Sequence, residues 1–373
     1  MSRRQPRRPR VRKERGASAV GRRFEVEVGP IAHGGHCVAR VADRVVFVRH
    51  ALPGERVVLE VTEGTDGDRF WRGDAVEVLT PSPDRVPAPC PYAGPGRCGG
   101  CDLQHVALPA QRELKARVVR EQLRRLAGLD VAVTVEAVPG DDEGLRRRTR
   151  QRYVDLPDGR RGMRKHRSHD VIAVEECLLE APGGPSYDVR GHAFEVADGG
   201  FWQVHPGAPE ALVAAVLEAL APRPGERALD LYAGVGLFSR FLAEAVGPGG
   251  RVAAVEGEGR ASALTERNAP GVLARAGDVA TVLAGGLPPE WDRADVVVLD
   301  PPRTGAKRTV VEQVVRRAPR AVAYVACDPA ALARDVAIFA EHGYRLASLR
   351  AFDLFPMTHH VECVALLVPD RTA

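Results

Sequence analysis

Between residues 24 and 80 the apolar positions come in short β-branched runs. RFEVEVGPI, HCVARV, DRVVFVRH, ERVVLEVTE and RFWRGDAVEVL alternate or cluster apolar residues, with Gly, Pro or Asp between them. Strands of that length and spacing predict a small closed barrel, and ALPGERV is a turn between two of them. The stretch TPSPDRVPAPCPYAGPGRCGGCD is rich in Pro and Gly and marks a boundary. Residues 107–128 read as a helix carrying many Arg and Lys. Residues 131–200 read as a second β-rich region with RRRTRQRYVDL as a basic strand. From about Gly225 the pattern becomes strand, helix, strand: ERALDLY, GLFSRFLAEAV, GRVAAVE, then the buried runs ADVVVLD and RAVAYVAC. Such alternation predicts a parallel sheet covered by helices on both faces. RLASLRAFDL and HVECVALLV have no helix between them, so a closing antiparallel hairpin is expected. The organisation predicted is a tail over 1–23, a barrel over 24–80, a central α+β region over 81–200 and an α/β domain over 201–373.

Length and charge add to this. A chain of 373 residues has room for two or three domains. No apolar run approaches the ~18 residues of a membrane span, and the basic start leads into no apolar segment of a secretory signal. A cytoplasmic protein with no membrane association and no evident obligate protein partner is expected. Residues 1–23 carry a net charge of +9, which leaves the remainder near −5 of the overall +4. A tail this basic, with no hydrophobic period, is expected to be disordered and drawn to polyanions, nucleic acid above all; a solubilising tail is the plainer reading. Seven cysteines, an odd number, argue against a disulfide framework.

Three stretches carry candidate chemistry. In ALDLYAGVGLFS a strand meets a glycine turn, Gly234-x-Gly236-x-x-Ser239, and a helix start. Glycines there let a backbone approach a ligand, and Glu256 at the end of the next strand is placed to accept hydrogen bonds from ribose hydroxyls. Asp230 would repel a pyrophosphate but suits an ammonium group. LDPPR makes a stiff ledge without N–H donors beside Asp300. Ribose, adenine and an ammonium group together describe S-adenosylmethionine rather than a nicotinamide cofactor. The second stretch is VACDPAALARD, where Cys327 ends a buried strand. On its own that thiol is packing or a nucleophile at a strand C-terminus. The third is Cys90-x7-Cys98-x2-Cys101 with the distant Cys177, whose spacing fits zinc or an iron–sulfur cluster equally.

Taken together, DPPRTGA, ACDPAALARD and HVECVALL, in that order, resemble the RNA 5-methyluridine (uracil-5-) methyltransferase family, nearest to the bacterial 23S ribosomal RNA type with a TRAM domain. The resemblance implies a class I, Rossmann-like methyltransferase domain behind an OB-like TRAM barrel. It implies that Gln203, Tyr232, Glu256, Asp278 and Asp300 contact S-adenosylmethionine, beside Asp230, Gly234 and Gly236 of the turn. Cys327 would be the nucleophile and Glu362 the base. Cys90, Cys98, Cys101 and Cys177 would hold a [4Fe–4S] cluster, with zinc as the alternative. The substrate implied is RNA, 23S rRNA ahead of tRNA. Leu237 stands where the family usually has Asn, His205 where it often has Asn, and CDP replaces CNP.

The chemistry matches these residue types. C5 of uracil is a poor nucleophile until a thiolate adds to C6. A helix start after Cys327 is expected to stabilise that thiolate. Strand alternation is expected to turn Glu362 into the cleft and Cys363 into packing. The target base must be unstacked to be reached, and Arg147 and Arg148 are expected on the RNA-facing surface. Other readings are an RNA-binding protein with an inactive transferase fold, an exocyclic-amine methyltransferase, which would want an aromatic in place of Arg303, and a cytosine-C5 enzyme using the same thiol.

Overall fold

A computed structural model describes residues 16–141 and 143–370. Most of the basic tail, positions 1–15, lies outside the described residues. The chain divides into two compact units. One runs to Val86 and includes Gly94–Gly96; the other holds Pro87–Ala93 and continues from Arg97.

The first unit is a barrel of six strands: β1 (Arg23–Glu27), β2 (Ile31–Ala32), β3 (His36–Val41), β4 (Arg44–Arg49), β5 (Arg56–Glu63) and β6 (Phe70–Thr80). They lie in the order β1-β5-β6-β4-β3-β2. The Gly29 N–H donates to the Val38 carbonyl at 2.8 Å, and the Val38 N–H to the Pro30 carbonyl at 2.9 Å, so the chain after β1 closes the sheet onto β3. Alternate residues of β5, Val57, Leu59 and Val61, point inward and are buried, the period-two pattern of a strand with one face in a core. Residues 16–22, read with the tail, join this unit: the Ala19 and Gly21 N–H groups donate to the Gly64 and Val61 carbonyls, and Ala19 is fully buried. One small apolar residue among arginines leaves no periodic signal.

The second unit begins with α1 (Leu108–Ala127) and a run of short strands: β7 (Val135–Glu136), β8 (Val154–Asp155), β9 (Arg161–Arg164), β10 (Val171–Ala173), β11 (Asp188–Val189) and β12 (His192–Ala193). Then follow α2 (Ala208–Leu220), β13 (Arg227–Leu231), α3 (Leu237–Val246), β14 (Arg251–Glu256), α4 (Gly259–Asn268), β15 (Leu273–Ala276), α5 (Val279–Gly285), β16 (Val296–Leu299), α6 (Lys307–Arg316), β17 (Ala321–Ala326), α7 (Pro329–Glu341), β18 (Tyr344–Phe352) and β19 (Glu362–Pro369). The main sheet has the order β15-β14-β13-β16-β17-β19-β18-β7. β13 to β17 are parallel, and β19 is antiparallel to both β17 and β18. The closing hairpin therefore folds back so that its second strand, not its first, lies against β17.

Alternation sends strand residues to two cores. Leu229 and Leu231 pack on the side of α1, α5, α6 and α7; Ala228 packs on the side of α2, α3 and α4. The central region differs from the basic strand expected in it. Only Val154–Asp155 of RRRTRQRYVDL forms a strand. The residues before it are held singly, Arg146 and Arg148 N–H to the Leu178 and Leu179 carbonyls and Thr149 N–H to the Val204 carbonyl. Consecutive arginines offer no apolar side to bury, so no ladder extends through them. Among the described residues, no helix is long and apolar enough to cross a membrane.

Candidate active site

The C-terminal ends of the parallel strands open into a cleft of about 1250 Å³. β13 ends at Leu231, and the chain turns through Tyr232 (φ 64°), Gly234 (φ 57°) and Gly236 (φ 90°). Tyr232 holds a left-handed conformation that costs a residue with a side chain about 1–3 kcal/mol and is found where surrounding structure enforces it. Gly236 is required twice over, because a Cβ there would also lie 2.9 Å from the Thr265 methyl. Glu256 ends β14 and braces the turn: one carboxylate oxygen accepts the Gly234 N–H at 2.9 Å, the other the Glu258 N–H at 2.8 Å. Asp278 caps α5, accepting from the Thr281 N–H and hydroxyl, each at 3.0 Å. Gln203, Tyr232, Gly234, Glu256, Asp278 and Asp300 all line the cleft.

Asp230 and Gly236 lie behind that lining rather than on it. Asp230 is fully buried and accepts the Ser239 hydroxyl at 2.6 Å, while its Oδ1 has no hydrogen-bond partner. Burial pushes its carboxyl up to about 6, with Glu256 adding to the effect against the Ser239 bond. Asp300 follows β16, and burial together with Asp230 and Glu256 raises it to about 7. Three acids thus crowd one end of the cleft, an environment that a cationic ligand relieves.

Beside Asp300 stands the thiol. Cys327 follows β17 and lines the cleft. The last register pair of β17 and β19 is Ala326 with Cys363, so the next step sets Cys327 opposite Glu362. Residues opposed in this way have Cβ atoms ~5 Å apart. Glu362 lines the cleft, and Cys363 is fully buried in the core. The expected stabilisation of the thiolate is not what the surroundings provide. Asp328 takes the N-cap of α7, accepting the Ala331 N–H at 2.8 Å, and places a carboxylate beside the thiol. Burial pushes Cys327 up to about 11; Glu362, Asp300 and Asp328 act the same way, and Arg303 opposes them. Burial, with Asp300, also drives Glu362 well above the ordinary carboxylate range. Cys327 is therefore a thiol near neutrality, and Glu362 holds a proton more tightly than an ordinary carboxylate.

The loop between β18 and β19 completes this end. Phe355 and His360 line the cleft, and His360 Nε2 is 3.3 Å from an Arg303 guanidinium nitrogen. Burial, His359 and Arg303 hold His360 down at about 3, so the ring is neutral. Helix α1 fixes the loop from beneath. Lys115, fully buried, pairs with Asp353 at 2.6 Å and donates to the Phe355 carbonyl at 2.9 Å. Gln111 accepts the Met357 N–H at 2.8 Å. The Asp102 carboxylate, next to Cys101, meets His359 Nδ1 at 2.6 Å.

The four remaining candidates, Cys90, Cys98, Cys101 and Cys177, line one small cavity. Gln151 donates to Cys177 Sγ at 2.9 Å, and Gln104 and the Gly100 N–H donate to Cys101 and Cys98 at 3.4 Å. Gly99 lets this loop meet the β9–β10 turn: a Cβ there would be 2.5 Å from the His166 nitrogen. Among the described residues, no three His, Cys, Asp or Glu side chains form a group that could hold a metal ion. Gln151 and Met163 line both this cavity and the cleft.

Comparison with known proteins agrees with this architecture. Residues 17–76 match the TRAM domain, and residues 290–369 match the tRNA (uracil-5-)-methyltransferase model. The chain is 45% identical to an RNA methyltransferase of Streptomyces avermitilis, over 94% of this chain and 99% of that one. It is 32% identical to the 23S rRNA (uracil(1939)-C(5))-methyltransferase RlmD of Chromohalobacter salexigens, over 97% and 93% of the two chains. The protein belongs to the RNA uracil-5-methyltransferase family. The fold of this methyltransferase is also that of the Pyrococcus abyssi tRNA (uracil-54, C5)-methyltransferase solved with S-adenosyl-L-homocysteine, with a TM-score of 0.69 at 20% identity over 92% of this chain and all of that one.

Sequence reasoning passed over Phe355, His360 and the Lys115–Asp353 pair of the methyltransferase. DLFPMTHH has no periodicity, and Lys115 looks like one more cation on a basic helix. Its place on the apolar stripe with Gln111, Val118 and Gln122 was the available signal. Arg303 was weighed only as a missing aromatic. Of the two arginines expected on the RNA side, Arg148 lines the cleft, while Arg147 Nε lies 3.5 Å from Asp141.

Proposed function

We propose that this protein methylates C5 of a uridine in 23S ribosomal RNA, using S-adenosylmethionine. The observation that carries the reading is the pairing of Cys327 and Glu362 across β17 and β19, within the same cleft as the glycine turn and the crowded acids. S-adenosylmethionine, when bound, supplies an electrophilic methyl group on a sulfonium. Cys327 loses its proton to solvent and its sulfur bonds to C6 of the uracil, which makes C5 nucleophilic enough to take the methyl. Glu362 then removes the C5 proton, the C5–C6 double bond re-forms, and the Cys327–C6 bond breaks to return the thiolate. A carboxylate whose proton affinity is raised is the stronger base for that removal. Arg303, the one cation opposing the acids at both Cys327 and Glu362, favours the ionised forms that the sequence of steps requires.

Fit to the cofactor rests on the unpartnered Oδ1 of Asp230 and on Asp300, whose raised carboxyl a cation would return to its charged form. Near Gln203, His205 is buried, lies 3.2 Å from Asp141 and accepts the Gly207 N–H at 3.1 Å. The preference for 23S rRNA over tRNA rests on likeness to relatives of that description, and the cytoplasm is the compartment the reading assigns. Cys90, Cys98, Cys101 and Cys177 fit a [4Fe–4S] cluster. The four thiols line one cavity, and Cys98, Cys101 and Cys177 accept N–H donors; zinc is the alternative that the same spacing allows. The cluster's part is to tie loops together.

The test is to incubate the protein with methyl-labelled S-adenosylmethionine and unmodified 23S rRNA, with tRNA in parallel, and to identify the labelled nucleoside. Label in 5-methyluridine from 23S rRNA, absent with Cys327→Ala, is expected. Label only from tRNA would move the substrate, and label in 5-methylcytidine would overturn the base. Brown colour with absorbance near about 400 nm after anaerobic purification marks the cluster; a colourless protein with stoichiometric zinc would refute it.

A further inference from the structure

Several arginines of the larger unit are paired with carboxylates. Arg120 pairs with Glu113, Arg190 with Glu210, Arg308 with Glu341 and Arg320 with Glu226, all at 2.8 Å or less. Four arginines between residues 148 and 164 have other partners. Arg148 donates to the Gln151 side-chain carbonyl at 3.2 Å, and Arg150 to the Gly200 carbonyl at 2.8 Å. Arg161 lies over the Tyr153 ring, 4.5 Å from its centre, and Arg164 donates to the His169 carbonyl at 3.3 Å. Each of these partners is neutral.

The set is also continuous with the cleft. Arg148 and Arg150 are part of its wall. Arg161 and Arg164 are the two ends of β9, both exposed, and Met163 between them turns inward to line the cleft. The hairpin is held in place by the cysteine loop, through the Gly99 N–H to the Arg164 carbonyl at 3.0 Å and the bridge of Cys98 with Lys165. The hairpin thus presents two exposed cations, Arg161 on the face of the cleft-lining Met163 and Arg164 on the other, at a point braced by the thiol-lined cavity.

We infer that Arg161 and Arg164 on the β9–β10 hairpin continue the cleft arginines as a phosphate track for the single-stranded RNA flanking the target uridine. The inference rests on the function proposed above and adds where the strand leaves the cleft. A strand whose base is unstacked into the cleft must keep its phosphates outside, and cations aligned along the exit neutralise them without reading sequence. The brace explains what the cysteine cavity contributes: it holds the track rigid against the cleft.

The test uses the full chain and a fluorescein-labelled single-stranded 20-mer of uridines, without S-adenosylmethionine, by anisotropy across a salt series. Arg161→Gln with Arg164→Gln is expected to weaken binding roughly tenfold at low salt and to reduce the slope of log affinity against log salt by about 1.4, two phosphates' worth for a single strand. The double variant Arg120→Gln with Arg308→Gln, an equal charge change elsewhere, leaves the slope unchanged. An unchanged slope in the hairpin variant, or an equal loss in both variants, would overturn the track. Unfolding temperatures of the variants confirm that the comparison is between folded proteins. Nucleoside analysis of wild-type product separates the two claims: a reduced slope without 5-methyluridine keeps the track and removes the reaction, and 5-methyluridine with an unchanged slope does the reverse.

Discussion

The cleft takes its polar side chains from the ends of neighbouring strands, whereas the cysteine cavity takes four thiols from two separate loops. The first is organised by a ladder. Once β13, β14, β16 and β17 pair in parallel, the residues after Leu231, Val255 and Leu299 must emerge side by side, and Cys327 emerges two residues further along its strand. The second has no ladder beneath it; its loops are held by single hydrogen bonds such as Gln151 to Cys177. Chemistry that needs reacting atoms in fixed relation sits on the rigid framework, and the loop-built cavity braces the segments around it. Gln151 and Met163, shared by both walls, are where the two constructions meet.

The largest effect is expected in the ladder-built site. Glu362→Gln should lower turnover by about 10²–10⁴-fold and leave a covalent RNA–protein adduct that survives denaturing electrophoresis. Low turnover with no adduct would place the damage before methyl transfer and remove Glu362 as the base. Next comes the loop between β18 and β19, which helix α1 holds by one buried ion pair. Lys115→Met strands the Asp353 charge and should cost about 3–5 kcal/mol in urea unfolding, while Lys115→Met with Asp353→Leu recovers most of it. If the double variant is no better, the pair is not what fixes the loop.

A third prediction concerns pH. Asp300 at about 7 and Asp230 at about 6 hold protons in the folded protein that the unfolded chain, with carboxyls near 3.8, has already released. Raising pH from about 4 to about 7 therefore favours unfolding at these two sites. Asp300→Asn should flatten the fall in unfolding temperature across that window. S-adenosylmethionine, a cation, should raise that temperature more at pH 7.5 than at pH 5; equal gains would mean the ligand does not meet these acids. The smallest effect is expected at the shared wall. Gln151→Leu removes one hydrogen bond to sulfur and should cost about 0.5–1.5 kcal/mol, with turnover hardly changed. A loss of turnover as deep as that of Glu362→Gln would erase the distinction between the cavities.

What could be read in advance follows the same division. The α/β alternation after Gly225, the strand-end positions of Glu256, Asp300 and Cys327, and the glycine turn were legible because strand and helix periods are local. The central region was read as a strand because β-rich composition does not reveal whether neighbours supply a ladder, and around Arg146–Thr149 they supply isolated bonds. Residues 16–22 were assigned to a tail because burial of Ala19 is decided by what it meets.

Sequence alone therefore determined the family and most of the order of elements, and named Cys327 and Glu362 as candidates, since each rests on neighbours along the chain or on a motif of a few residues. Tertiary structure alone decided that β19 lies between β17 and β18, which sets Glu362 opposite Cys327. It also decided that Lys115 is buried beneath the loop between β18 and β19 and that Asp230 stands behind the turn. The electrostatics were decided there as well: a helix start promised a stabilised thiolate, but Asp328, Glu362 and Asp300 converge on Cys327 from other elements. Charge acts through space, and the sequence orders residues only along the chain.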